Sequence, residues 1–125
     1  MEALSAAEFQ IIQTMLVKQY GPDSLFLGQL AGTRVESRRM TGVGIFVDLL
    51  VGGDAGRVDD INSEISGSYM TSLRSPGDLV GFTLFIRSGY LNFLEGYTFG
   101  DVKWPEEPME KWLKLAKPER TAVRP

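Results

Sequence analysis

The sequence predicts an α+β fold: a single domain over residues 1–125, with a twisted antiparallel sheet of about five to six strands packed against an N-terminal helix, and a short C-terminal helix. Three features carry that expectation. Residues 5–20 place apolar side chains at helical spacing behind a capping sequence. From Ser24 to Phe99 the pattern changes to that of strands, punctuated by glycine and proline. A second helical stripe, bounded by prolines, lies at 108–118.

The first helix has the most complete signal. Ser5-Ala6-Ala7-Glu8 has the form of a capping box, and Leu4 and Phe9 occupy the positions of a hydrophobic staple. Phe9, Ile12 and Leu16 follow along one stripe, widened by Ile11 and Met15, and Gly21-Pro22 stops the helix. Leu25-Phe26-Leu27 reads as the start of a strand running to Ala31. Arg34 to Met40 and Val43 to Val51 read as further strands, with a bulge or bend at Gly42 and Gly44. Gly52 to Gly56 is a loop. Ile65, Tyr69 and Leu73 line another strand, and Ser75-Pro76-Gly77-Asp78 is a turn.

Leu79 to Ile86 and Tyr90 to Phe99 flank Ser88-Gly89, which suits a tight hairpin. With Arg87 opposite Tyr90, an uninterrupted register pairs Ile86 with Leu91, Leu84 with Phe93, Phe82 with Glu95 and Val80 with Tyr97. In the tail, Met109, Trp112, Leu113 and Ala116 form an apolar stripe, begun at Pro108 and stopped by Pro118.

Composition closes several chemistries. The 125 residues include neither His nor Cys, which removes disulfides, cysteine nucleophiles, histidine triads and the usual zinc sites. There is no phosphate loop, no dinucleotide fingerprint and no nucleophile elbow. The formal charge is -3, and residues 1–100 hold seven basic against eleven acidic side chains, so no nucleic-acid partner is expected. No apolar run is long enough to span a bilayer, and Met1-Glu2-Ala3-Leu4-Ser5 lacks the features of a signal peptide. The expectation is a cytoplasmic protein with no membrane partner, no cofactor and no metal.

Several constellations remain. Arg34, Arg38 and Arg39 form a local basic cluster, and on a regular strand Arg34 and Arg38 share a face while Arg39 takes the other. They are candidates for an anion site or for pairing with acids such as Glu36. Glu95 lies among Phe93, Leu94, Gly96 and Tyr97, so its carboxylate is desolvated unless paired. With Asp48 it makes a candidate carboxylate pair for acid–base or glycosidase chemistry; the alternative is a structural acid. The stretch from Tyr97 through Phe99, Asp101 and Trp104 is aromatic and glycine-rich, which suits either a binding surface or a packed plug. Asp54, Asp59, Asp60, Asn62 and Glu64 supply oxygens at close spacing but lack the glycine and the bidentate acid of a calcium loop.

The runs Thr41-Gly42-Val43-Gly44-Ile45-Phe46, Gly81-Phe82-Thr83-Leu84-Phe85-Ile86-Arg87-Ser88-Gly89-Tyr90-Leu91 and Leu94-Glu95-Gly96-Tyr97-Thr98-Phe99-Gly100-Asp101, with Trp104-Pro105, carry a resemblance. Over roughly residues 35–105 the chain resembles a class of small bacterial α+β proteins, some of them similar to the immunity proteins of toxin systems. The resemblance implies a compact sheet protein that works by binding and brings no active site with it. The resulting expectation is a non-catalytic protein-binding module, of immunity or regulatory type, with Glu95, Tyr97, Phe99, Asp101, Trp104, Arg34 and Arg38 as candidate binding residues. A small-molecule or lipid carrier with a curved sheet is the alternative, and a carboxylate-based hydrolase a more distant one. A protein partner is expected, and an exposed edge strand leaves room for a homodimer.

Overall fold

The computed structural model describes residues 2–72, 79–100 and 102–112, with the backbone alone over 67–72. Helix α1 spans Ala6–Tyr20. The Ser5 hydroxyl accepts from the Glu8 N–H at 3.1 Å, and the Glu8 carboxylate accepts from the Ser5 N–H at 2.8 Å, which completes the capping box. Gly21 ends the helix at φ 93°, a conformation that disfavours any side chain. Ala7, Ile11, Ile12, Met15 and Leu16 are fully buried. Phe9, expected from its spacing to head that stripe, stays 38% exposed between the buried Ala7 and Ile11.

The chain then forms α2 at Phe26–Ala31, where the sequence suggests a strand. The Ser24 hydroxyl accepts from the Phe26 N–H at 3.2 Å and starts the turn. Phe26 and Leu30, four residues apart, enter the core together. A short apolar run of this kind fits a strand or a buried helical turn equally well.

Six antiparallel strands follow the order β1-β2-β3-β6-β5-β4. They are β1 (Glu2–Ala3), β2 (Arg34–Met40), β3 (Gly44–Leu50), β4 (Ser63–Ser72), β5 (Leu79–Arg87) and β6 (Tyr90–Thr98). A short α3 covers Met109–Trp112. The rest of the stripe expected from the sequence, and the turn at 75–78, lie outside the described residues. Between Met40 and Gly44 the chain reverses, with Gly42 at φ 88° and Thr41 N–H donating to the Gly44 carbonyl at 3.0 Å. The bulge or bend expected at Gly42 and Gly44 is thus a full reversal between β2 and β3.

Among the described residues the register shifts three times, once between Ser66 and Met70 in β4, and the other two decide where the candidate side chains face. In the β5–β6 hairpin, Ser88 and Gly89 both have positive φ (52° and 79°), and Arg87 faces Tyr90 and Ile86 faces Leu91. The register then shifts by one at Asn92, so that Phe85 pairs with Phe93, Leu84 with Leu94, Thr83 with Glu95, Phe82 with Gly96 and Gly81 with Tyr97. The uninterrupted pairing of Leu84 with Phe93 and Phe82 with Glu95 is thereby corrected. An extra residue on one strand reverses every later side chain relative to its partner strand. In β2 the register shifts between Val35 and Ser37. Arg34 therefore shares a face with Arg39, and Arg38 turns to the other, which corrects the alternation expected of a regular strand.

The resulting sheet has one core face. Val35, Ile45, Val47, Leu49, Ile65, Val80, Phe82, Leu84, Ile86, Leu91 and Leu94 are buried there with α1, α2 and Trp112. Trp104 closes the β3–β6 end of this core. Its indole meets Phe82 edge-on at 6.1 Å and Trp112 at 5.1 Å. Gly96 makes the room: a Cβ there would lie 2.6 Å from Trp104 Cη2 and 2.9 Å from Phe82 Cε1.

At the other end, the buried Gln29 side chain ties three segments together. Its Nε2 donates to the Gly89 carbonyl at 2.7 Å and the Gly56 carbonyl at 3.0 Å, and its Oε1 accepts from the Leu91 N–H at 3.0 Å. This joins α2 to the β5–β6 turn and to the long β3–β4 connection, which also exchanges hydrogen bonds with Gly89 through Val58 and Ile61.

Candidate functional site: the open face of the sheet

The outward residues of β3, β5 and β6 are Phe46 and Asp48, Thr83 and Phe85, and Phe93, Glu95 and Tyr97. All the buried helical side chains belong to the opposite face. Phe46, Phe85, Phe93 and Tyr97 are half-buried there.

Phe93 stacks on Phe85 with ring centroids 4.1 Å apart and planes 14° from parallel. Phe46 meets Phe93 at 5.9 Å with a 62° tilt. The three rings form one row across neighbouring strands, because each pair sits directly opposite or diagonally across the ladder. An arginine closes each end. Arg39 lies 4.9 Å above the Phe46 ring and Arg87 lies 5.2 Å from the Phe85 ring.

Both arginines are also paired to acids. Arg39 donates to Asp48 through Nε and Nη2, each at 3.1 Å, and the Ser37 hydroxyl donates to Asp48 at 2.6 Å. The Arg39 guanidinium, followed by the Ser37 hydroxyl, holds the Asp48 carboxyl below the usual carboxylate range. Arg87 approaches Glu64 more loosely, at 3.9 Å.

Glu95 lies in the next row. It faces Phe46 on β3 and Thr83 on β5, and Phe93 and Tyr97 are its same-face neighbours on β6. It is half-buried and has no hydrogen-bond or ion-pair partner among the described residues. Thr83, the polar group directly across from it, is itself bonded to the Ser66 hydroxyl at 2.8 Å. The Tyr97 ring lies over Gly81, where a Cβ would come within 3.0 Å of three ring atoms. Phe99 meets Tyr97 edge-on at 5.5 Å and is 44% exposed.

The candidate residues therefore separate. Glu95, Tyr97 and Phe99 come together on the open face. Arg34 is exposed on β2, opposite Leu50 and away from Glu95. Trp104 is 4% exposed in the core of the opposite face, where it acts as a plug. Asp101 lies outside the described residues. Arg38 faces α1, where Nε and Nη2 grip the buried Glu8 carboxylate at 2.7 and 2.8 Å while Nη1 reaches Glu2. The Glu8 hydrogen bonds raise the Arg38 pKa, against the opposing effect of burial. Asp48 and Glu95 lie on one face, but Asp48 is committed to Arg39 and Ser37.

Sequence reading passed over Phe46, Phe85, Phe93 and Arg87 as a group. Their row depends on the β3–β6 pairing, which is remote in sequence, and on the bulge at Asn92. A usable local signal was the alternation of Phe46 and Asp48 with the buried Ile45, Val47 and Leu49.

A second concavity, of about 430 Å³, lies where α1 begins. Met40, Ile45, Trp104, Pro108 and Met109 form its apolar part, with Glu8, Arg38 and Glu110 alongside. Glu110 accepts from the Ala7 N–H at 2.9 Å. Burial pushes its carboxyl up, but hydrogen bonds from the Ala7 N–H and the Ser5 hydroxyl outweigh this, and the net shift is downward.

Among the described residues no group of three or more acids is placed to hold a metal ion, and no helix is long and apolar enough to cross a membrane. Comparison with protein-family models, curated proteins and solved structures found no match to this chain.

Proposed function

We propose that this chain is a non-catalytic protein-binding module, of immunity or regulatory type, and that it docks its partner on the open face of the sheet. The observation that carries the reading is the half-buried row Phe46–Phe93–Phe85 lying beside Glu95, a carboxylate without a partner among the described residues. Aromatic anchors on a rigid strand lose little side-chain entropy on binding, and such residues supply most of the energy of many interfaces. Size supports the reading as well. The five strands β2 to β6, seven to ten residues each, at roughly 4.8 Å spacing and about 25 Å length give a face of roughly 600 Å² in projection. A stable partner typically covers about 800 Å² of accessible surface on each side.

A photoreactive phenylalanine analogue at position 46 or 93 tests this in native lysate at physiological salt. The expected result is one stoichiometric protein cross-linked from those positions and not from position 9 on α1. Recovery of no partner from the open face, with the source organism's proteins present, contradicts the reading.

The groove at the start of α1 favours a second reading, a carrier of a small apolar ligand. Calorimetric titration with medium-chain fatty acids tests it: saturable heat that disappears in Met40→Glu supports it, and no heat counts against it.

A further inference from the structure

The open face presents the same arrangement twice and then a third time with one member missing. Asp48 holds Arg39 against the Phe46 ring. Arg87 lies against the Phe85 ring with the Glu64 carboxylate 3.9 Å away. In each case a guanidinium lies on an aromatic ring while a carboxylate on the same face pairs with it. Glu95 is the third acid of β3 to β6 on this face, with Phe46, Phe93 and Tyr97 around it, yet no described cation reaches it.

We propose that Glu95, with the Phe46, Phe93 and Tyr97 rings, is the seat for an arginine side chain donated by the protein partner. This rests on the docking reading above and specifies the partner's chemistry. A guanidinium can donate two parallel N–H bonds to one carboxylate while its flat face lies on a ring, whereas an ammonium is a point charge that stays more strongly hydrated. Desolvating Glu95 beneath a partner without such a cation leaves a buried, uncompensated charge. The same cost applies to a second copy docked about a two-fold axis near Glu95, which brings two such carboxylates together. The charges already on the face point the same way. Asp48 is paired with Arg39 and Glu64 has Arg87 3.9 Å away, so Glu95 is the acid of this face with no cation among the described residues.

The test uses the full chain, isotopically labelled, and the pentapeptide acetyl-Gly-Leu-Arg-Leu-Gly-amide as probe, with lysine and citrulline versions as controls. Backbone amide shifts are followed by NMR. The arginine peptide is expected to give saturable shifts at Phe46, Glu95 and Tyr97, with little change at Ile11 or Trp104. Lysine should bind at least about threefold more weakly and neutral citrulline at least about tenfold more weakly. Glu95→Gln should weaken the arginine peptide at least about fivefold, and Phe46→Leu, which keeps apolar bulk but removes the ring, about threefold. Equal binding of arginine and citrulline peptides, no response to Glu95→Gln, or no shifts on this face overturns the arginine seat.

The captured partner separates the two levels of the claim. If it binds wild type and Glu95→Gln equally but loses affinity in Phe93→Ser, docking stands and the arginine seat falls. If neither variant matters, both fall. Dimerisation of the free chain through this face, detected by sedimentation and abolished by Phe93→Ser, also overturns the seat.

Discussion

Gln29 should be one of the most sensitive polar positions in the molecule, and its cost can be worked from its contacts. Truncation in Gln29→Ala removes three hydrogen bonds that lie within 3.0 Å. The Gly89 carbonyl keeps a donor, because the Val58 N–H reaches it at 2.9 Å. The Leu91 N–H and the Gly56 carbonyl lose the partner that Gln29 provided. At about 1–3 kcal/mol for each unsatisfied group, with water able to reach Gly56 more readily than Leu91, the expected loss is about 3 kcal/mol. That is a large part of the stability of a domain of this size, about 5–15 kcal/mol.

Urea unfolding should show a lower midpoint at unchanged slope. Gln29→Glu sharpens the test. At neutral pH a carboxylate would face the Gly56 and Gly89 carbonyls with no hydrogen to offer. Its folded-state pKa must therefore rise above the unfolded value. Stability is then greatest below the unfolded value and falls as pH rises through the folded one. A loss below about 1 kcal/mol in Gln29→Ala, or a Gln29→Glu variant whose deficit relative to wild type is the same at pH 5 and pH 8, would refute this account of the staple.

Further predictions follow from the other contacts. Gly96→Ala pushes a methyl into Trp104 and Phe82 and should cost about 2 kcal/mol in chemical denaturation, with a smaller penalty when Trp104 is also changed to Phe. Arg38→Ala leaves Glu8 buried without its cation and should cost about 3 kcal/mol, whereas the double change Glu8→Leu with Arg38→Leu should recover most of that loss. Asp48 has a depressed folded-state pKa, so its stabilisation is present above the unfolded value and is lost as pH falls through the folded one. Asp48→Asn should therefore flatten the acid side of a urea-midpoint profile measured from pH 7 to pH 3. Phe46→Ser, on the open face, should change the urea midpoint far less than Phe82→Ser in the core, while abolishing partner cross-linking.

Local chemistry made α1 readable, because the capping box, the apolar stripe and Gly21 all act within a few residues. The Ser88–Gly89 turn was readable for the same reason: both positions need positive φ, and the sequence supplies a glycine at the second. Glu95 and Tyr97 stood out as polar and aromatic groups within an apolar strand. Their surroundings were not readable, since one extra residue at Asn92 exchanges Phe82 for Thr83 across from Glu95. The bulge in β2 likewise separates Arg34 from Arg38, sending one to an exposed position and the other to a buried carboxylate. Trp104 shows the limit from the other side. Its aromatic, glycine-rich setting suits a binding loop, but Gly96 opens a slot on the core face that only the folded sheet reveals. Residues 26–31 form a helix because the Ser24 side-chain turn and core burial settle what an apolar run of that length leaves open.

The most direct test compares affinities for the cross-linked partner, measured by calorimetry with matched folding controls. Phe93→Ser removes the centre of the aromatic row and should weaken binding at least about tenfold, while Phe9→Ser on the exposed side of α1 should change it by less than about twofold. The opposite ranking, with binding insensitive to Phe93 and dependent on Phe9, would place the docking surface on the helical side and contradict the account.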